Sequence, residues 1–574
     1  MRSCLGQTVS IKKIFILTFF ANVLGTVTLS LRLSSHSHFV TLTLENKTDV
    51  FPGACRGRNR FVFHVSKEAS PLASFGGVGQ VVGELTSALS RDLSDACLVT
   101  VIPKYGFVEA THTLSTFDIT IGTRVGHGSI YHHYLNGVNY ILIGNPSFYP
   151  LLWSSTSVED MYNCPQGVKR EDRDMYFNYV AAKIIAETVS HNVDKSVVHA
   201  HGASNAPVLW FLRQFTKKQV SLVYTIHDYN SETKLTYSLR KIAHFSGAHD
   251  FQIARSCFAV GTESKTVSVE SKSSVLATFF VSCADAVTTV SSGMVQPLKQ
   301  LDSTYADLLS HFENTGRLFS IRNWVSQSIW DDAREVVPLE NTLSGKLRAR
   351  ENLFQMLHAH GAGSMPRRQD AICLVGWIGR FDTNKGIVFL PALVETVCNL
   401  ECLLVVVGYS TSRRDKKNIN AVKKQMQKWS LANSCTFMML DSKSMQSGQM
   451  RTIRAALDIV VVSSLSEGFG LTAAEALAFG SIPVVSSVGG LPEVVKPFDG
   501  GVQSGVVFEI LDSLELSIAA LQQALTRAVS LYVQSENSGM LASLHFDLIS
   551  NTPLRESPNS LPAYITLYDK LATF

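Results

Sequence analysis

The stretch AALDIVVVSSLSEGFGLTAAEALAFGSIPVVSSVGGLPEVV (455–495) decides the fold of this chain. DIVVV is an unbroken run of branched apolar residues, the pattern of a strand covered on both faces. The turn SLSEGFG follows, then LTAAEALAF with helical periodicity, then PVVSS, where the strand pattern restarts. Strand, glycine turn, helix and strand in succession make one parallel βαβ unit. Glu467 stands just before Gly468, Glu475 lies about one turn inside the helix, and Gly489–Gly490 close the next strand end. An acid in such a turn serves as a helix cap. A glycine-rich helix start between two carboxylates equally suits a nucleotide sugar, with amides for phosphate and carboxylates for hydroxyls.

Working outward, the unit repeats. ICLVGWIGR (372–380), LLVVVGYS (403–410) and CTFMML (435–440) are further strands separated by helical stretches. In IGRFDTNKG (378–386) Arg380 ends a strand, and Lys385 follows in a turn closed by Gly386. Two cations at the carboxyl end of a strand suit a diphosphate. A solvated loop pair is the plain alternative. An earlier series precedes this one: FVFHVS (61–66), LVTVIP (98–103), YILIG (140–144), SVVHAHG (196–202), LVYTIHD (222–228) and AVTTVSS (286–292). The loop SFGGVGQ (74–80), with Gly76, Gly77 and Gly79, joins its first strand to a helix, either as a tight βα turn or as a phosphate contact. Two successive βα series predict an α/β protein of two Rossmann-like, doubly wound domains facing across a cleft, with the site at the carboxyl ends of the strands. Residues 261–274 read as an exposed polar loop, and segments near 331–345 and at 364–370 read as linker.

Composition agrees with folded α/β structure: of 574 residues 45% are apolar and 17% charged, which excludes a disordered chain and predicts two or three domains. The net charge of +4 gives no argument for nucleic acid, and a neutral polymer such as a polysaccharide fits at least as well. The ten cysteines show no CxxC spacing and no disulfide framework, so no metal site is implied. Cys97 and Cys373 lie in apolar runs and are predicted to be free, buried thiols. The first 44 residues carry Arg2, Lys12, Lys13 and Arg32 with no acid, around an apolar run Ile14–Leu31. This predicts a targeting segment over 1–45, either a signal sequence or a membrane anchor, with a buried core helix as the plain alternative. The expected route is secretory, with onward passage to a plastid or retention as a membrane anchor, and Asn46-Lys47-Thr48 is a glycosylation sequon usable only in a secretory lumen.

The Glu467-to-Glu475 spacing resembles the signature of retaining GT-B glycosyltransferases, and the blocks around it resemble the glycogen and starch synthases. FVFHVSKEASPLASFGGVGQVVGEL, VNYILIGNPSFY, VVHAHGAS, YTIHD, ADAVTTVS, IRNWVSQSIWD, VGWIGRFDTNKG and SLPAYITLYDKL match synthase blocks in order over roughly residues 60 to 574. The resemblance implies an N-terminal catalytic domain over 60–335, a nucleotide-sugar-binding domain over 345–550, and a helix over 555–574 returning to the first domain. It places Arg380 and Lys385 on the donor diphosphate, Glu467 on hydroxyls of the transferred sugar, and Glu475 near the ribose. Gly76, Gly77, Gly470, Leu471 and Thr472 would hold phosphate and sugar through their amides, and His201 would lie at the floor of the first domain. Attack from the face of the departing nucleotide then needs no protein nucleophile, metal or cofactor.

The chain departs from the family pattern at specific points. Ser74 and Phe75 replace the lysine and threonine before the glycines, and Gln80 replaces an acid. Gly202 and Ser204 replace the aspartate and last histidine of the HAHDWH block, Asn323–Ser326 read NWVS for NGID, and Glu475 stands where synthases often have tyrosine. Three functions follow as expectations: glucosyl transfer from ADP- or UDP-glucose to the non-reducing end of an α-glucan; retaining transfer to a non-glucan acceptor; and a weakly active glucan-binding homologue.

Overall fold

The computed structural model describes residues 42–44, 55, 58, 60–110, 112–121, 124–192, 196–216, 220–246, 250–251, 267–268, 274–359, 373–410, 413–433, 435, 437–445, 448–496, 504–554, 556–557 and 559–572. Its first sheet holds strands β1 (Leu42–Leu44), β2 (Arg60–Val65), β3 (Ala96–Pro103), β4 (His112–Ile121), β5 (Arg124–Leu135), β6 (Val138–Ile143), β7 (Ser196–His201) and β8 (Val220–Ile226). Two short pairs stand apart, β9 (Thr236–Ser238) with β12 (Ser274–Leu276), and β10 (Asp250–Phe251) with β11 (Val267–Ser268). Strands β13 (Ala286–Thr289) and β14 (Leu318–Ser320) complete the first sheet, in the order β1-β4-β5-β6-β3-β2-β7-β8-β13-β14. From β6 to β14 neighbours run parallel, whereas β1, β4 and β5 form an antiparallel extension. The second sheet contains β15 (Leu374–Arg380), β16 (Leu403–Tyr409), β17 (Phe437–Asp441), β18 (Ile459–Val462), β19 (Ile482–Ser486) and β20 (Val506–Phe508). All of its strands are parallel in the order β17-β16-β15-β18-β19-β20, the doubly wound arrangement whose switch point lies at its first strand.

Continuous apolar runs become central strands because both faces are covered by helices: every residue of β3, β6, β7, β18 and β19 is buried. The strand runs read from the sequence fall where the strands lie, but the hairpin of β4 and β5 carries no comparable apolar run. Its exposed and buried residues alternate, the mark of an antiparallel pair with one wet face. The segment expected to be linker near 331–345 is instead mostly helical, spanning the end of Gln327–Val336 and the start of Thr342–Ala359. Ser326 caps the first of these helices, accepting from the Ile329 amide at 3.3 Å, and Asp331 and Glu335 are exposed on it while Ile329 and Ala333 are buried. Residues 364–370 and most of 261–274 lie outside the described residues, as do Ile14–Leu31 and the sequon at Asn46. Among the described residues, no helix is long and apolar enough to cross a membrane.

The final helix, Leu561–Ala572, turns back onto the first sheet. Leu561, Tyr564, Leu567 and Tyr568 pack in one cluster with Val62, Leu85, Leu89, Val197 and Trp324.

Cys97 and Cys373 are not free thiols. Disulfides join Cys55 to Cys97, Cys373 to Cys402 and Cys398 to Cys435, with sequence separations of 42, 29 and 37. Long separations leave no local spacing to read. The fold brings these pairs together instead: Leu374 and Leu403 are register partners on parallel strands, so the cysteines just before them are neighbours. All three bridges sit toward the amino ends of the strands, away from the cleft.

Candidate active site in the interdomain cleft

The carboxyl ends of both sheets open on a cleft of about 520 Å³. From the second domain, β15 delivers Arg380, and the turn after it delivers Lys385. Asp382 caps that turn, accepting from the Lys385 amide at 3.0 Å. Gly386 has φ +75°, and a Cβ there would lie 1.8 Å from the Ser463 carbonyl oxygen, so only glycine lets this turn pack beneath the end of β18. The turn after β18 then places Glu467 beside it: Lys385 Nζ lies 2.6 Å from Glu467 Oε2, and Ser464 Oγ donates to the same oxygen at 2.9 Å. Gly470, at φ +106°, starts the helix Leu471–Ala478. The first amides of a helix have no intrahelical acceptor, so those of Leu471 and Thr472 are available at the cleft wall. Glu475 lies deeper, paired with Arg454 at 2.8 Å, and both line the cleft.

The first domain contributes the glycine loop. Gly76 and Gly77 line the cleft, but the Gly76 amide already donates to Glu68 Oε2 at 3.2 Å, as does that of Phe75 at 2.7 Å. Any phosphate contact here therefore falls to Gly77 and the first turn of its helix, Gly77–Asp92. Glu68 is buried and also accepts from the Tyr162 hydroxyl, and burial raises its carboxyl above the usual range. Phe75 meets the rings of Tyr162 and Tyr409 at 5.4 and 5.3 Å, bridging the two domains across the cleft wall.

His201 does not line the cleft. It lies beneath His227, which does, and the two rings share a hydrogen bond of 3.1 Å. Ser204 is not a lining residue either. Sequence reasoning missed Glu68, Tyr162, His227, Tyr409 and Arg454. His227, at the end of the YTIHD run, and Tyr409, at the end of the LLVVVGYS run, had a positional signal, since strand carboxyl ends face the cleft; Glu68, Tyr162 and Arg454 are assembled by contacts distant in sequence.

Two facing doubly wound domains, with cations, carboxylates and glycine turns converging between them, define a GT-B glycosyltransferase. The profile of the starch synthase catalytic domain matches residues 61–311, and that of glycosyl transferases group 1 matches 372–530. The chain thus belongs among the glycogen/starch synthase-like glycosyltransferases. It is 22% identical over 499 residues to granule-bound starch synthase 1 of Manihot esculenta, covering 83% of this chain and 78% of that one. To glycogen synthase of Streptococcus mutans it is 24% identical over 463 residues, covering 79% and 88%. In structure it is similar to the catalytic domain of starch synthase IV from Arabidopsis thaliana bound to ADP and acarbose, with TM-score 0.70, 20% identity, and 90% and 99% of the two chains covered.

Proposed function

We propose that this chain is a retaining glucosyltransferase that moves glucose from ADP- or UDP-glucose to the non-reducing end of an α-glucan. The observation that carries this reading is the meeting of Arg380, Lys385 and Glu467 with two glycine turns in one cleft. In the reaction, negative charge grows on the departing diphosphate. Arg380, Lys385 and the amides at Leu471 and Thr472 lie where they offset it. Glu467, held by Lys385 and Ser464, orients sugar hydroxyls, and the Arg454–Glu475 pair lies where a ribose would meet it. The donor and acceptor classes are supported by a similar solved protein, the catalytic domain of starch synthase IV, which holds ADP and acarbose. A donor-and-acceptor panel with protein lacking residues 1–45, read as nucleotide diphosphate release, tests this. No release with any glucose donor overturns it.

A non-glucan acceptor is the second reading. Its support is on the first-domain side of the cleft, where Phe75 packs against Tyr162 and Tyr409 in place of a lysine-bearing loop. The third reading, a weakly active glucan-binding homologue, rests on the same first-domain departures, and the complete cation set in the second domain weighs against it. For location we propose an oxidising compartment on the secretory route, with onward passage to a plastid as the alternative. Structural disulfides persist where thiols are not kept reduced, and three join cysteines among the described residues. Imaging a reporter fused to residues 1–50 checks the route, and diffuse cytosolic signal overturns it.

A further inference from the structure

Seven of the 20 residues of the helix Arg413–Ala432 are Arg or Lys and one is acidic, so this element alone carries more positive charge than the net +4 of the whole chain. The rest of the protein is therefore net negative, and the whole-chain balance hides a concentrated basic face. Packing decides where that charge points. Ile419 and Met426 are buried, Val422 and Trp429 are half-buried, and the helix packs on Leu390–Asn399. Arg414, Lys416, Lys417, Lys423, Lys424 and Lys428 are exposed, and none of the six pairs with an acid among the described residues.

At 3.6 residues per turn, Lys417, Lys424 and Lys428 stand in one row within about 40° of each other, opposite Ile419 and Met426, and the row spans about 16 Å. Lys424 and Lys428 are four residues apart, a spacing at which like charges repel and weaken a helix. No ion pair among the described residues offsets that repulsion, whereas a bound polyanion would. The exposed amides of Asn420, Gln425 and Gln427 flank the row. Amides beside ammonium groups suit a chain that carries both hydroxyls and anionic esters. Large exposed apolar side chains are missing from this face until Leu431 near its end, unlike a helix that inserts into lipid. The helix begins four residues after Tyr409, which lines the cleft, and the exposed Lys443 holds its Nζ 5.8 Å from the Tyr409 ring centroid. The basic face thus starts at the mouth of the cleft and runs away from it.

We propose that the outward face of Arg413–Ala432, together with Lys443, docks an α-glucan that carries phosphate monoesters, and so holds the polymer whose end enters the cleft. The choice of a glucan rests on the reading of this chain as an α-glucan transferase; the anion-binding face does not. Phosphate monoesters supply the charge that complements the lysine row, and the hydroxyls between them meet the flanking amides.

The test measures binding of the full chain, without donor, to chemically phosphorylated amylopectin and to the same polymer after phosphatase treatment. The phosphorylated form should bind about tenfold tighter or more, and the difference should vanish in about 0.5 M salt. Equal binding of the two polymers overturns the proposal. Replacing Lys417, Lys424 and Lys428 together by Gln should abolish the preference, and replacing them together by Arg should keep it; a Gln variant that still prefers the phosphorylated polymer overturns the assignment to this row. Because the lysines repel one another, the Gln variant should melt no lower than the parent. A lower midpoint would make the row structural and overturn the proposal. Tighter binding to vesicles of equal parts phosphatidylcholine and phosphatidylserine, or to a short DNA duplex, overturns the choice of partner. Both polymers are then offered as acceptors with ADP- and UDP-glucose, where the phosphorylated one should show the lower acceptor KM. Extension of both with no preferential binding overturns the docking face and leaves the transferase reading standing. Preferential binding with no extension of either does the reverse.

Discussion

Lys385 and Glu467 hold each other in the cleft, so a diphosphate bound as proposed would have to draw Lys385 from its carboxylate or share it. Arg380 is tied more loosely, its Nε 3.4 Å from Asp382. Arg380→Ala and Lys385→Ala should each lower turnover by roughly 30- to 900-fold, the worth of ~2–4 kcal/mol in transition-state stabilisation. Acceptor binding should hardly change, and near wild-type rates in both would remove the diphosphate site from this cleft. Glu467→Gln should lower turnover and discrimination among donor sugars, whereas Glu475→Gln, which leaves Arg454 unpaired, should chiefly weaken binding of the free nucleoside diphosphate. Titration calorimetry with ADP and UDP separates the two; small, equal effects would make both acids caps. At this scale the second domain was legible, because Arg380, Lys385, Glu467 and the Gly470 turn each follow a strand directly, and the strand's direction points them at the cleft. Glu68 and Arg454 were not legible, since Glu68 is placed by Phe75, Gly76 and Tyr162, and Arg454 by Glu475 on another helix.

The elements carry their own titrations. The short helix Tyr229–Lys234 holds Glu232, buried and accepting from Tyr224 OH at 2.6 Å and from the Tyr305 hydroxyl. Burial raises this carboxyl to about 8, above its unfolded value of ~4.3. The folded state then binds the proton more tightly, so this group's stabilisation is fully present below the unfolded value and fades as pH rises toward about 8. Denaturant midpoints at pH 5 and pH 8 should differ less in Glu232→Gln than in the parent; an identical difference would refute it. The disulfides brace elements too. Reductant under otherwise native conditions should lower the thermal midpoint, since each bridge of this loop length is worth about 2–4 kcal/mol. The cysteine pairs escaped sequence reading because 42, 29 and 37 residues separate the partners; the helix Gln327–Val336 escaped it because its buried apolar positions, Ile329 and Ala333, are too few to stand out against Asp331, Asp332, Arg334 and Glu335.

At the scale of the whole molecule, the chain crosses between the two sheets twice. One link is the covalent passage from β14 to β15, and the other is the contact of Leu561–Ala572 with the first sheet. Deleting residues 561–574 should destabilise the first domain by ~3 kcal/mol or more, since four large apolar side chains leave its surface. It should also lower turnover, because Tyr568 no longer holds His199 beneath the cleft. Thermal unfolding and a donor titration on the same truncated protein check both effects, and an unchanged midpoint would refute the first.

That returning helix also bears on how the protein is made. The last strand of the first sheet ends at Ser320, and the helix that covers Val62, Leu85 and Trp324 begins at Leu561, some 240 residues later. At translation speeds of about 5–20 residues per second, the ribosome needs on the order of 10–50 s to cover that interval. Throughout it the nascent first domain is assembled but uncapped, with an apolar patch open to solvent and to chaperones. Synthesis and return of the helix Leu561–Ala572, and not completion of the first domain, is then the moment at which that surface closes.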